Sequence, residues 1–279
     1  MALRPRGTRP PLFWVQAGLI QAKVLQELHR DQPVYCLYRL QPDPKDPPLR
    51  FEQIAAYHIE TMRSLCPRGP YALTGYCVCA PIVFEMACQL ARQGETVSAL
   101  ILIDPLDAAV TRAKLAQPPP LFQLTLQANR VLFHMQKIKN YSIKDKLAYC
   151  THSAKKIKER LMYSFKKRAT DPGSGFARPL PQHVLLDVHD LDMYAVREYV
   201  PQPYPGSAVI LRPIVVPPRF LDYPNRRWAQ LIQGKLDVQT VPGDSDTMWL
   251  LPNASMMARS IDSSIAKVSP VQVPTGQSK

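Results

Sequence analysis

The 279-residue chain has no run of about 18 apolar residues, which excludes a conventional membrane-spanning helix. Its opening, MALRPRGTRPPL, is basic but lacks the apolar stretch that a secretory signal needs, so a cytosolic (cytoplasmic) location is the default expectation. Six cysteines stand at 36, 66, 77, 79, 88 and 150, yet none has the paired C-x-x-C spacing of a structural zinc site. Cys77 and Cys79 make only C-x-C, so reduced thiols and no metal are expected. RNP, zinc-finger and helix-turn-helix signatures are missing, which leaves nucleic acid the least favoured class of partner. No internal repeat is present.

What is there begins with charge. The formal net charge is +13, and it is concentrated: residues 130–168 hold twelve Lys/Arg against two acids, Asp145 and Glu159. Such a segment is either a solvated helical face or a docking surface for an acidic partner.

The hydrophobic pattern alternates between strand and helix. PLFWVQ (11–16) reads as a strand, and GLIQAKVLQELHRDQ as a turn and amphipathic helix with Ile20, Val24, Leu25 and Leu28 on one face. PVYCLYRL (33–40) is the next strand, followed by a connector with four prolines in QPDPKDPPLR. Helix 51–66 places Ile54, Tyr57, His58, Met62 and Leu65 on one side. A strand through GPYALTGY runs into helix VCAPIVFEMACQLARQG, with Gly94 at its C-terminal cap, and TVSALILIDP is a buried strand. The alternation stops over 107–195, a basic, proline-punctuated helical region, then resumes with strands at 207–213 and 236–244 and a closing helix, ASMMARSIDSSIAKV. The pattern predicts an α/β fold with a mostly parallel central sheet, helices on both faces, and a helical lid insertion at about 107–195. Residues 1–10 and 266–279 are expected to be loose, and 11–265 to form one domain.

The chemistry centres on Leu73–Leu90, LTGYCVCAPIVFEMACQL. An apolar strand enters a helix through Gly75-Tyr76-Cys77-Val78-Cys79, the layout of a nucleophile elbow whose usual wording is G-x-S-x-G. Gly75 supplies the small residue two positions before the nucleophile, and Cys79 and Ala80 supply it in part afterwards. A thiol at a helix N-terminus is expected to have a lowered pKa, which predicts an exposed, reactive Cys77. The alternative is a small buried cysteine like Cys88. Asp104 ends the next strand at the edge where parallel sheets place their sites. It suits the third member of a triad, or else caps the following turn.

These pieces resemble the type I thioesterase family of nonribosomal peptide and polyketide synthases, which has an α/β-hydrolase fold. The resemblance rests on PLFWV, on the stretch from FEQIAAYHIETMRSLC to SALILID, on REYVPQPYPGSAVILRP and on LDVQTVPGDSDTMWL. It implies Cys77 as nucleophile, as some family members have cysteine there, and Asp104 as triad acid. It further implies a lid that shapes the acyl pocket and an acyl or peptidyl carrier protein as partner, met through the basic segment 130–168. The group acted on would be that partner's phosphopantetheine-linked thioester, with no cofactor bound by this chain.

Three departures qualify the likeness. Where the family ends V-P-G-D-H-x-T-M, this chain has VPGDSDTM, so Ser245 occupies the place of the histidine general base. The six histidines are at 29, 58, 134, 152, 183 and 189; the last four lie in the lid or its exit, from which one could reach inward. The loop after the first strand, VQAGLIQAKV, has a single glycine; Val78 and Ala17 are the expected backbone oxyanion donors, and losing one costs about 3 kcal/mol of barrier. Cys79-Ala80 replaces the usual glycine pair. Without a base, water is a poor attacker, so an acyl-Cys77 is expected to favour transfer or cyclisation over hydrolysis. The competing expectation is a degenerate module that binds a carrier protein or acyl chain without turnover.

Overall fold

The computed structural model describes residues 2–39, 49–106, 192, 195–196, 198–215 and 223–266. Among them, seven strands form one sheet: β1 (Ala2–Arg4), β2 (Leu12–Val15), β3 (Val34–Leu37), β4 (Tyr71–Tyr76), β5 (Val97–Ile103), β6 (Ala208–Pro213) and β7 (Leu236–Val241). Their order is β1-β3-β2-β4-β5-β6-β7, and every pairing is parallel except β1 with β3. The helices are α1 (Ala22–Glu27), α2 (Phe51–Leu65), α3 (Cys79–Arg92), α4 (Tyr223–Leu231) and α5 (Asn253–Ala266), with short 3-10 turns at Leu19–Gln21 and Thr247–Trp249.

The central strands read as continuous apolar runs because both of their faces are covered. One face packs Phe13, Leu73, Leu100 and Ile210 against Ile54 and Met62 of α2, Val83 and Phe84 of α3, and Trp228 of α4. The other packs Trp14, Ala72, Ile101 and Leu211 against Val24 of α1 and Met257 and Ile261 of α5. Phe84 meets Trp228 edge-on at 5.1 Å between ring centres, a pairing worth about 1 kcal/mol beyond its buried area. Helix α2 begins where the proline-rich connector ends; the Gln53 side chain accepts the Arg50 N–H at 2.8 Å and closes the first turn. Helix α3 tolerates Pro81 because a first-turn residue needs no intrahelical donor. It ends at Gly94, whose φ of +75° suits glycine.

Two local expectations are corrected. Residues 2–9 hold fixed partners instead of lying loose: Ala2–Arg4 pair with β3, Arg9 bonds Asp262 of α5 at 3.0 Å, and Thr8 N–H donates to Asp31 at 3.0 Å. Their charges find fixed partners, which composition does not reveal. On α1, Val24 and Leu28 are buried, but Ile20 is about half exposed, because the preceding residues form a 3-10 turn that shifts its side chain off the helical face. The lid at 107–195 falls almost entirely outside the described residues, as do the basic segment 130–168 and the tail beyond Ala266.

Candidate active site

Strand β4 passes into α3 with only Cys77 and Val78 between them. The turn is possible because Gly75 lies under the helix: a β-carbon there would sit 2.5 Å from the Cys79 carbonyl oxygen. Cys77 has φ +55°, a left-handed conformation that a non-glycine residue adopts at a cost. Its backbone is pinned on every side. The Cys77 N–H donates to Ile103 at 3.0 Å, and its carbonyl accepts from Ala80 at 3.3 Å and Leu106 at 3.1 Å.

The Cys77 side chain is half-buried, not openly exposed. Burial pushes its thiol up, the Asp104 carboxylate pushes the same way, and the Val78 N–H pulls it down. The expected lowering at the helix start is therefore overturned: one backbone donor is outweighed by desolvation and a neighbouring anion. Cys79, at the helix start, is buried, and its thiol is pushed far up, by burial first and by Asp192 next.

Asp104 is the first residue past β5 and also has a left-handed backbone, φ +40°. Its N–H bonds Leu211 at 2.8 Å. Burial raises the carboxyl, and the Arg212 guanidinium on β6 draws it back. Arg212, itself buried, is thus the cation that faces the acid among the described residues. Ser245 lies against the elbow through its backbone. Its carbonyl accepts from Tyr76, the residue before Cys77, at 3.3 Å and from Trp249 Nε1 at 3.0 Å. Tyr76 packs edge-on to Trp249 at 4.8 Å. The VPGDSDTM loop is thus tied to the side chain of Tyr76, one residue before Cys77, and to the Trp249 ring.

Of the two expected oxyanion donors, Val78 stands at the helix start with its N–H at the Cys77 sulfur. Ala17 has other partners. Its N–H is directed at the buried Cys36 thiol on β3, and its carbonyl accepts from the Tyr38 hydroxyl. Since β3 and β4 flank β2 on opposite sides, these partners tie Ala17 to the side of β2 away from the Cys77 strand. The described histidines do not supply a base. His29 accepts the Asp31 N–H at 3.2 Å on the surface, and His58 is buried on α2, held down at about 3 by burial and by Arg39. His134, His152, His183 and His189 lie outside the described residues.

The sequence did not point to a second polar group at the same sheet edge. Gln16, one residue past β2, has φ +53° and donates through Nε2 to Asp192 at 2.7 Å. Arg39 donates to the other oxygen of Asp192 at 2.5 Å, in an ion pair almost wholly shielded from solvent. A glutamine at a strand end carries no signal of its own, and Asp192 is 153 residues from Arg39 in the chain.

A parallel sheet covered on both faces, a strand-to-helix elbow, an acid past the next strand and a closing loop beside them define an α/β-hydrolase fold. Residues 10–264 match the thioesterase domain family, and the chain belongs to that family. It is 37% identical over 105 residues to a non-reducing polyketide synthase of Pseudevernia furfuracea, covering 36% of this chain and 5% of that protein. It is 34% identical over 114 residues to a dimodular nonribosomal peptide synthase of Bacillus subtilis, covering 37% of this chain and 5% of that protein. The chain thus spans about a twentieth of the length of these relatives. In structure it resembles the NocB thioesterase domain in covalent complex with a fluorophosphonate nocardicin G analogue: TM-score 0.59, 20% identity, 95% of this chain and 98% of the other. The Vlm2 thioesterase domain with a bound dodecadepsipeptide shares the fold at TM-score 0.55 and 14% identity, over 94% and 96% of the two chains.

Proposed function

We propose that this chain takes an acyl group from the phosphopantetheine thioester of a carrier protein onto Cys77 and passes it to an acceptor other than water, in biosynthesis of the nonribosomal peptide or polyketide kind. The observation that carries this reading is the left-handed Cys77 backbone, held by three hydrogen bonds on the strand-to-helix turn. A side chain that merely filled space would not need so costly a conformation.

In the first half-reaction the Cys77 sulfur attacks the thioester carbonyl. A carbon–sulfur bond to Cys77 forms, the bond to the pantetheine sulfur breaks, and the thiol proton ends on the departing sulfur. One thioester replaces another, so the step is close to thermoneutral. In the second, an amine or thiol attacks the acyl-Cys77, and its proton returns to the cysteine sulfur. Water would need a general base, which supplies about 10²- to 10⁴-fold. Ser245 cannot act as one near neutral pH, while a neutral amine is already nucleophilic. Asp104 beside Arg212 would hold charge around the sulfur without taking a proton from it.

A second reading has its own support. The raised Cys77 thiol lowers the thiolate fraction, which favours a module that binds a carrier protein or acyl chain without turnover. Product analysis separates the two. With an acyl-pantetheine thioester and an alkylamine, the first reading expects amide in excess over free acid, dependent on Cys77. Salt-sensitive binding of an acidic carrier protein, with no amide and no acid formed, would establish the second.

A further inference from the structure

Among the described residues, three non-glycine residues adopt positive φ: Gln16, Cys77 and Asp104. Gln16 and Asp104 each follow a strand directly, as does Cys77, and the three strands β2, β4 and β5 are neighbours in the sheet. Register brings them to within one residue of level. Val15 pairs with Gly75 and Tyr76 with Ile103, so Gln16 falls beside Tyr76 and Cys77 beside Asp104. Adjacent strands lie about 4.8 Å apart, which puts Gln16 on one flank of the elbow strand and Asp104 on the other. Costly left-handed residues grouped at one sheet edge mark a working site.

The site needs a second oxyanion donor, because Ala17 N–H is turned to Cys36. We infer that the side-chain carboxamide of Gln16 is that donor, aimed by the buried Asp192–Arg39 pair at the carbonyl oxygen of an acyl group on Cys77. A carboxamide nitrogen carries two hydrogens. One goes to Asp192 Oδ2 at 2.7 Å and fixes the plane of the amide, leaving the other for the substrate. Asp192 does not touch substrate in this arrangement; it is a positioning residue, locked by Arg39 at 2.5 Å and fully buried. Gln16 keeps its own place through its N–H bond to Leu37 at 2.9 Å. Side-chain amides serve as oxyanion donors on other scaffolds, where removing one lowers the rate about 10²- to 10³-fold.

This inference rests on the acyl-transfer reading, and the test separates the two. The rate of acyl-pantetheine addition to Cys77 is compared with the rate of its alkylation by iodoacetamide, which builds no oxyanion. Gln16→Asn keeps a residue that tolerates the left-handed backbone but draws the amide back by one methylene; Gln16→Gly frees the backbone and removes the amide. Both variants are expected to lose about 10²-fold or more in acylation at saturating thioester while alkylation stays within about twofold. Acylation unchanged in both variants, or falling only in step with alkylation, would overturn the assignment of Gln16. A parent protein that is alkylated but never acylated would overturn the acyl-transfer reading and this assignment with it.

Discussion

On the proposed acyl-transfer reading, replacing Ser245 with histidine should let water compete with the acceptor, and the structure sets how far. The loop that carries Ser245 is held by its backbone. Asp244 accepts the N–H groups of Asp246 and Thr247 at 2.9 Å each, while the Ser245 carbonyl is held by Tyr76 and Trp249. The Ser245 hydroxyl contributes no hydrogen bond among the described residues, so Ser245→His removes none. On the family likeness Asp104 would orient the new ring, which enters on the loop that touches Tyr76. General-base catalysis supplies about 10²- to 10⁴-fold, or roughly 3–5 kcal/mol of barrier. Arg212 already draws on the Asp104 carboxylate, which weakens its hold on an imidazole, so the expected gain is near the lower end, about 100-fold. The assay pre-acylates Cys77 and follows loss of the acyl group in buffer without amine. Hydrolysis should rise with pH through the ordinary histidine range near 6.5 and then level off. If Ser245→His is acylated as the parent is and hydrolyses no faster, the missing base is not what separates this site from a hydrolase.

Three further outcomes follow from the same geometry. Asp104→Asn removes the anion that raises the Cys77 thiol, so iodoacetamide alkylation at pH 8 should speed up severalfold; an equal or slower rate would show that the carboxylate does not act on the sulfur. Gly75→Ala drives a β-carbon to 2.5 Å from the Cys79 carbonyl, so urea denaturation should report a loss of about 1–3 kcal/mol together with slower acylation; parent-like values would mean that strand and helix are not so close. His58 is neutral in the fold, with its pKa lowered to about 3 by burial and by Arg39, whereas the unfolded chain takes up a proton near 6.5. Its contribution is therefore intact above about pH 6.5 and is lost as the pH falls toward 3, a penalty of about 2 kcal/mol at pH 5. His58→Leu should abolish that part of the acid sensitivity, and chemical denaturation at pH 7 and pH 5 compares the two; an undiminished loss in the variant would place the sensitivity elsewhere.

The sheet and its elbow are legible in the sequence because they depend on local signals. Apolar runs bounded by Gly and Pro mark β4 and β5, and a glycine two residues before Cys77 marks the turn. Asp104 is visible for the same reason, an acid directly after a buried strand. What escapes is whatever depends on partners distant in the chain. Arg212 reads as the polar end of SAVILRP until β6 is placed beside β5 and faces Asp104. The fate of Ala17 depends on Cys36 and Tyr38 of the neighbouring strand and loop. The Gln16–Asp192–Arg39 group joins residues that no spacing rule connects. Helix α4 escapes because the proline and paired arginines of YPNRRWAQL hide its apolar face, and Trp228 is what fastens it to Phe84. The raised Cys77 thiol escapes for a related reason: a helix N-terminus is visible in sequence, but the depth of burial that overrides it is not.

On the proposed function, a cysteine on this turn accepts an acyl group with no imidazole among the described residues to help it. Its most direct test is the intact mass of the protein after incubation with an acyl-pantetheine thioester and rapid quenching. One acyl group per chain is expected, located on Cys77, lost on treatment with an amine or thiol and persistent in buffer alone. A chain that stays at its unmodified mass under all conditions, or one acylated equally well after Cys77→Ala, would contradict it.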